Sequence, residues 1–289
     1  MISIIIPSLN SPHIKKIVGV LKKEKSRFKD MEILVVGKDQ AGLLSGEEEI
    51  IFVDTGKPLS PAQSRNIGLK LARGKEIIFL DSDCLPKNGW LYHLVKAHSQ
   101  GKKVVGGAID FNGGNFWQLS DNIIHFYNSH LSRRGEIMKD GPLPTANLSI
   151  SREALNEVGL FSEELVTGED FEYSMKLRAK GYTLYFERQA VVTHLTSRRN
   201  LKEILIHSRS WAKNSIYLRK KFRSYLNAPF FMENSLLLYL SSPLLAGLAT
   251  FKVFFTSAAL CRYWYIAPVI YLAKLIWSLT AAQELSDAR

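Results

Sequence analysis

Residues 79–84 read FLDSDC. The carboxylates of Asp81 and Asp83 follow an apolar run, Ile77-Ile78-Phe79-Leu80, that reads as a buried strand. In an extended segment residues i and i+2 project to the same side. At about 5 Å and an effective dielectric near 20 their repulsion would be roughly 3 kcal/mol. A cation, a shared proton or wide exposure to water would offset it. Oxygen ligands of this kind suit Mg²⁺ or Mn²⁺, which bind one or two carboxylates together with a substrate's phosphates. A turn carrying two solvated acids is the plainer reading of the same triplet.

Three other groups could do chemistry. Thr167-Gly168-Glu169-Asp170 opens a helical pattern in which Thr167 can cap the helix and first-turn acids complement its dipole. Two adjacent acids exceed what a cap needs, and a carboxylate fixed at a helix start can act as general base toward a hydroxyl. His194 ends the strand that begins at Ala190, as a structural histidine or as a ligand to a nearby divalent cation. His125 and His130, five apart, fall on different helix faces and do not read as a metal pair. Arg65, within Ser64-Arg65-Asn66, is either a surface residue or an anchor for a diphosphate.

The elements that must position these groups alternate. Apolar strands are expected at Ile2–Ile6, Met31–Val36, Ile50–Val53, Glu76–Leu80 and Val104–Ile109, and again at Thr183–Phe186 and Ala190–His194. Helices are expected at 13–25, 60–74, 89–100, 116–130, 151–157 and 167–180. Ser60-Pro61 opens its helix with a capping hydroxyl and a proline at the first helical position. This pattern predicts an α/β fold, a mostly parallel central sheet with helices on both faces. Ligands of such sheets bind outside the carboxyl ends of the strands, so loops 7–12, 37–42, 54–60 and 81–86 should share one rim. There is no G-x-G-x-x-G after the first strand, no phosphate-binding G-x-x-x-x-G-K-[ST] and no G-x-S-x-G.

Charge and hydropathy divide the chain. The net charge is +11. Between 198 and 223, Arg198, Arg199, Lys202, Arg209, Lys213, Arg219, Lys220, Lys221 and Arg223 meet only Glu203. Ahead of a long apolar stretch, such a run fits anionic lipid headgroups, and no nucleic-acid motif accompanies it. The apolar blocks 235–261 and 264–282 are each about the 20 residues that span a bilayer, with Tyr263, Trp264 and Tyr265 clustered between them. A lysine in each block, Lys252 and Lys274, costs roughly 2.5–3.5 kcal/mol near a helix centre. The expectation is a two-helix membrane hairpin with both ends cytoplasmic. A shallow interfacial pair and a soluble helical subdomain, or homo-oligomer interface, are the alternatives. Two cysteines in unrelated contexts fit a reducing compartment. MISIIIPSLN reads as a first strand, not as a signal peptide.

Taken together, IIIPSLN (4–10), SRNIGLKLARGKEIIFLDSDCLP (64–86), TANLSISREALNEVGLFSEEL (145–165), GEDFEYSMKLRAKGY (168–182) and VVTHL (191–195) resemble a family 2 glycosyltransferase with the GT-A fold. The resemblance implies inverting, metal-dependent sugar transfer from a nucleotide-sugar. By position it implies that Pro7, Ser8 and Asn10 line the nucleotide pocket and that Arg65 lies near the nucleotide. Asp81 would face the ribose or sugar and share the cation site. Asp83 would bind the metal and diphosphate, with His194 helping to hold the metal. Asp170 would be the base that deprotonates the acceptor hydroxyl, supported by Glu169. The chain departs from the family at VVGKDQ, where Gly37 replaces a usual aspartate and Asp39 is the candidate substitute. HSRSWAKN offers Arg209 and Trp211 but not the Q-x-x-R-W of processive members, so single-sugar transfer is expected, with Arg209 a candidate diphosphate contact.

The expected organisation is a GT-A catalytic domain at 1–196, a basic juxtamembrane segment at 197–228 and a membrane-associated helical hairpin at 229–289. The expected activity is hexosyl transfer to a lipid-linked or glycan acceptor at the cytoplasmic face of the cell membrane, as in polysaccharide biosynthesis. Processive polysaccharide synthesis and a catalytically silent membrane scaffold are the rival readings.

Overall fold

Runs of isoleucine and valine covered on both faces form the strands, because branched side chains pack well on a pleated surface. A computed structural model describes the chain except residues 112–113, 134–135, 139–140, 166, 226–233 and 288–289. It comprises two units: Met1–Asp110, Gly135–Glu164 and Glu169–Leu195 form the first, and Phe111–Arg134, Leu165–Gly168 and Thr196–Arg289 the second. The expected boundary at 228/229 lies outside the described residues.

Unit 1 is built on one sheet. Its strands are β1 (Ile2–Leu9), β2 (Met31–Lys38), β3 (Ile51–Asp54), β4 (Glu76–Leu80), β5 (Cys84–Pro86), β6 (Val104–Asp110), β7 (Asn147–Ser151) and β8 (Tyr185–His194). They lie in the order β3-β2-β1-β4-β7-β6-β8-β5. The pairs β1/β2, β2/β3, β1/β4 and β6/β8 are parallel, and β4/β7, β6/β7 and β5/β8 antiparallel. Helices α1 (Ile14–Lys25), α2 (Pro61–Leu71), α3 (Trp90–Ser99), α5 (Arg152–Val158) and α6 (Glu169–Ala179) belong to the same unit. α2 starts as the sequence predicts, with Ser60 and Gln63 in a reciprocal capping box, but stops at Leu71, because Ala72 turns extended. Phe79, Leu148, Ile150, Phe161, Tyr173 and Leu177 are among its core residues.

The two strands expected at 183–194 are one, β8, whose pairing with β6 slips at Gly107/Ala108. Asn147 fixes that slip. Its amide donates to the carbonyls of Ala108 and Ala190 at 3.0 and 2.9 Å and accepts from Trp90 Nε1 at 2.8 Å. A Cβ at Gly107 would lie 2.3 Å from both Ala190 O and Asn147 Nδ2, so only glycine fits there.

Unit 2 is helical: α4 (Phe116–Phe126), α7 (Leu201–Lys221), α8 (Ser235–Thr256) and α9 (Ala267–Asp287). α4 ends four residues before the expected His130, where a single 3₁₀ turn, Tyr127–Ser129, takes over. A 3₁₀ segment, Ala258–Ile266, joins α8 to α9.

Candidate active site

The apolar end of β4 delivers Asp81, and the chain then turns. Cys84 N–H donates to Asp81 O at 2.9 Å, so Asp81-Ser82-Asp83-Cys84 is a β-turn and not the extended segment expected from sequence. The two acids therefore diverge to separate partners. Ser11 Oγ donates to Ser82 O at 2.6 Å, which ties the turn to the loop after β1. Leu195 N–H donates to Asp83 O at 2.8 Å, and Cys84 pairs with His194 across β5/β8. These backbone links bring Asp83 Oδ2 within 3.4 Å of His194 Nε2.

Asp81 is held by Arg65. The guanidinium donates to Asp81 Oδ1 at 2.7 Å and to Glu169 Oε1 at 2.8 Å. It joins the end of β4 to the start of α6 and is itself 2% exposed. Each terminal nitrogen donates to a carboxylate, so in this structure Arg65 positions acids. Asn66 does the same for the neighbouring backbone, exchanging hydrogen bonds with Phe161 N–H and C=O at 2.9 Å each.

Burial pushes the Asp81 carboxyl up against the pull of Arg65, and the charges of Asp83 and Glu169 push the same way. Asp170 follows Glu169 on α6. Its carboxyl is walled mostly by protein, and this burial, with the Glu169 charge beside it, pushes its pKa up to about 7. Phe171 N–H donates to Asp170 Oδ1 at 2.7 Å and fixes the side chain. Asp81, Asp83, Glu169 and Asp170 thus form an electrostatically coupled group around one arginine.

The ligand atoms of Asp83, Cys84 and His194 lie within 4.8 Å of one another. Burial, followed by the charges of Asp83 and Asp81, pushes the Cys84 thiol well above its ordinary pKa, and its soft sulfur is a poor match for hard Mg²⁺ or Mn²⁺. Asp83 and His194 remain as an oxygen–nitrogen pair at a spacing that two ligands of one divalent ion adopt, and the pair fits Mg²⁺ or Mn²⁺.

Residues 3–159 match the profile described as glycosyl transferase family 2. The chain belongs to this family. Glycosyltransferase AglE of Haloferax volcanii is 27% identical over 210 residues, which cover 67% of this chain and 66% of that protein. The pre-mycofactocin glycosyltransferase of Mycobacterium tuberculosis is 28% identical over 140 residues, 46% of this chain and 30% of that protein. The chain thus spans under two thirds of the length of these relatives. Among solved structures, mannosyltransferase PcManGT from Pyrobaculum calidifontis, in complex with GDP-Man and Mn²⁺, superposes with a TM-score of 0.60 at 16% identity, covering 99% of this chain and 74% of that one. GalNAc-T7 with UDP, GalNAc and Mn²⁺ gives 0.55 at 19% identity, over 79% and 51%. The fold is that of the GT-A glycosyltransferases.

In this family 2 chain the remaining candidates are spread over the end of β1, the loops after β1 and β2, and α7. β1 runs past the expected end at Ile6 through Pro7 and Ser8 to Leu9, and the buried Ser8 Oγ has no hydrogen-bond partner among the described residues. Asn10 takes a positive φ of 53° and exchanges side-chain hydrogen bonds with Gln40, donating to Oε1 at 3.0 Å and accepting from its N–H at 2.9 Å. Asp39 accepts from Leu44 N–H at 2.7 Å and so caps its own turn. No side chain fits at Gly37, where φ is 147° and a Cβ would sit 1.8 Å from Ser8 O. Arg209 belongs to unit 2, exposed on α7. Thr167 Oγ1 donates to Ser210 O at 3.2 Å.

Unit 2 holds a second polar cluster that sequence reasoning missed. Asp121, 1% exposed, accepts from Thr196 Oγ1 and Arg198 Nη1 at 2.8 Å each. Its Oδ1 faces His125 Nδ1 at 3.3 Å and His207 Nδ1 at 3.8 Å. Arg198 also donates to His207 Nε2 at 3.1 Å, and burial lowers the His207 pKa to about 4. Burial would raise Asp121, but the two histidines facing it and the Arg198 charge hold it well below the carboxylate range. Because Arg198 already neutralises Asp121 and occupies His207, the cluster is an ion-pair knot joining α4 to α7 and not a cation site. The i, i+4 pairing of Asp121 with His125 was the available signal. His130 stands apart, its ring 4.5 Å from that of Phe111.

Proposed function

We propose that this chain transfers one sugar from a nucleotide-sugar donor to a hydroxyl of a lipid-linked or glycan acceptor, inverting the anomeric centre, at the cytoplasmic face of the cell membrane. The observation that carries the reading is the Arg65 bridge, which ties the turn bearing Asp83 to the helix start bearing Asp170. A cation-ligand pair and a base with a pKa of about 7 are thereby fixed on separate elements. That separation suits a reaction in which nucleophile and leaving group occupy opposite sides of one carbon.

Asp170 takes the proton of the acceptor hydroxyl as its oxygen forms a bond to the anomeric carbon. The bond from that carbon to the diphosphate breaks, and the nucleoside diphosphate leaves with the electron pair. Transfer without a covalent intermediate inverts the configuration. Glu169, fixed by Arg65, holds negative charge beside Asp170 and keeps it basic at neutral pH. Asp83 and His194 would hold the divalent ion, which when bound neutralises charge on the departing diphosphate. PcManGT holds GDP-Man with Mn²⁺ and GalNAc-T7 holds UDP with Mn²⁺, which supports this class of donor and ion. Two helices long and apolar enough to cross a membrane, Ser235–Thr256 and Ala258–Asp287, support membrane association.

The test is thermal shift of the full chain against nucleoside diphosphates with and without Mn²⁺. A ligand at about 100 times its Kd stabilises by about 2.7 kcal/mol. The expected result is a Mn²⁺-dependent shift with one nucleotide that is lost in Asp83→Ala. No shift with any nucleotide, from folded protein, overturns the reading.

A further inference from the structure

We propose that unit 2 binds an anionic bilayer leaflet from one side: the outward face of α8 lies in the headgroup and upper acyl region, and neither α8 nor α9 crosses the membrane. This rests on the membrane association proposed above and assigns its mode.

Leu236, Leu240, Leu244, Leu248, Phe251 and Phe255 recur every three or four residues along α8 and are 58–72% exposed. They form one stripe along a helix of 22 residues, about 33 Å long. The opposite face, Leu238, Ser242, Ala246, Thr250 and Val253, is buried within unit 2. Trp264 and Tyr265 continue the exposed face through the 3₁₀ segment, as interfacial aromatics do. Away from the buried face, Ser241 and Thr256 each donate to the carbonyl four residues back, at 2.6 and 2.9 Å. Such internal bonding is what a helix face in lipid requires.

α9 is not a free apolar helix. Ala281, Ala282 and Leu285 pack with Ala212 and Ile216 of α7, and the Arg219 guanidinium lies 5.7 Å from the centre of the Trp277 ring. Lys274 Nζ donates to Ile124 O of α4 at 3.2 Å. If the hairpin crossed the bilayer with this packing intact, α7 would carry the exposed Lys202, Arg209, Lys213 and Lys220 in with it. Each costs roughly 2.5–3.5 kcal/mol at the bilayer centre. If the hairpin peeled away instead, Ala212 and Ile216 would be uncovered and Lys274 would lose its carbonyl. Insertion of α8's outer face alone avoids both costs.

Charge selects lipid over a second copy as the occupant. From Thr196 to Arg262 eleven lysines and arginines meet two acids. Two such units repel each other, whereas an anionic leaflet attracts each by about 1 kcal/mol per basic residue near its surface.

Cys261 is exposed in the turn between α8 and α9, and Cys84 is buried. Cells producing the full chain are treated with a membrane-impermeant maleimide and then fractionated. The expected result is protein in the membrane fraction whose Cys261 is labelled only after the cells are broken. Labelling in intact cells would show that the turn has crossed and overturns the mode while leaving membrane association standing. Protein in the soluble fraction, including as a dimer, overturns both. With purified chain, flotation on phosphatidylglycerol vesicles should exceed that on phosphatidylcholine. It should fall roughly tenfold or more in Leu244→Glu/Phe251→Glu, whose side chains leave the fold's core untouched. Unchanged flotation of that variant, with an unchanged Tm, also overturns the inference.

Discussion

Replacing Arg65 with methionine keeps the bulk of the side chain and removes its charge. Asp81 and Glu169 then lose their shared partner while 31% and 14% exposed. Removing one member of a buried ion pair costs about 3–5 kcal/mol. The exposure of Asp81 lets water screen part of that, so the lower end, about 3 kcal/mol, is expected. For a unit of this size that corresponds to a fall in Tm of roughly 6–12 °C. The same change removes the positive charge that holds Asp170 down, so its pKa rises above about 7. Asp170 must be unprotonated to accept a proton. The acidic limb of kcat/KM against pH therefore moves to higher pH, and activity lost at neutrality recovers in part as the pH is raised. Thermal unfolding and a pH–rate profile read the two effects separately. A variant whose Tm stays within a degree of the parent, with an unmoved acidic limb, would refute the bridge as the organiser of the site. Loss of stability alone would leave it a structural tie with no hold on the base.

Three further changes probe other parts. Asp170→Asn should lower kcat by about 10²–10⁴-fold while the Mn²⁺-dependent thermal shift with nucleoside diphosphate persists; loss of that shift would make Asp170 a binding residue. Asp121→Ala should destabilise by about 3–5 kcal/mol at pH 7, measured by urea unfolding, because Arg198 is left without its carboxylate. The folded pKa of Asp121 lies below its unfolded value, so this contribution is present above the unfolded value near 4 and is lost as pH falls through the folded one; equal stability of parent and variant at pH 7 counts against the knot. Gly37→Ala should cost at least about 1–3 kcal/mol, read as a lower Tm, since φ is 147° and Ser8 O blocks the new methyl group.

What was legible in the sequence was what is local. An apolar run followed by acids gives the end of β4 and Asp81, and Ser60-Pro61 with Gln63 gives the start of α2. The extended geometry imagined for Asp81 and Asp83 failed because one backbone hydrogen bond, Cys84 to Asp81, closes a turn that no periodicity announces. β7 hid for another reason. NLSIS is five residues, partly polar, and its asparagine side chain satisfies carbonyls exposed by a slip between strands distant in sequence. Arg65 reads as a surface or anion-binding residue until Glu169, 104 residues away, is placed beside it. His207 likewise gains meaning only when α7 meets α4. Contacts of that separation are set by tertiary packing, and a single sequence carries no mark of them.

The charge balance of the site leads to a last prediction. Asp81, Asp83, Glu169 and Asp170 surround one arginine whose two terminal nitrogens are already committed. A diphosphate brings further negative charge into this setting, and unlike a solvated surface the site screens it poorly. Donor binding should therefore depend on a divalent cation, and without one it should depend on protonation. Asp170, with a pKa of about 7, is the group that changes charge near neutrality. A nucleotide-sugar is the right probe, because its diphosphate is esterified at both ends and keeps its charge across this range. In the presence of a chelator, its affinity should be higher at pH 6 than at pH 8, as protonation of Asp170 removes one repulsive charge. With Mn²⁺ the trend should flatten or reverse, because protons then compete with the cation for Asp83 and His194. Isothermal titration at both pH values, repeated on Asp170→Asn, distinguishes the cause: the chelated pH dependence should vanish in the variant. Equal affinity at pH 6 and pH 8 in the parent without cation would mean that the diphosphate lies beyond the field of these carboxylates, and that Asp170 is not the base facing it.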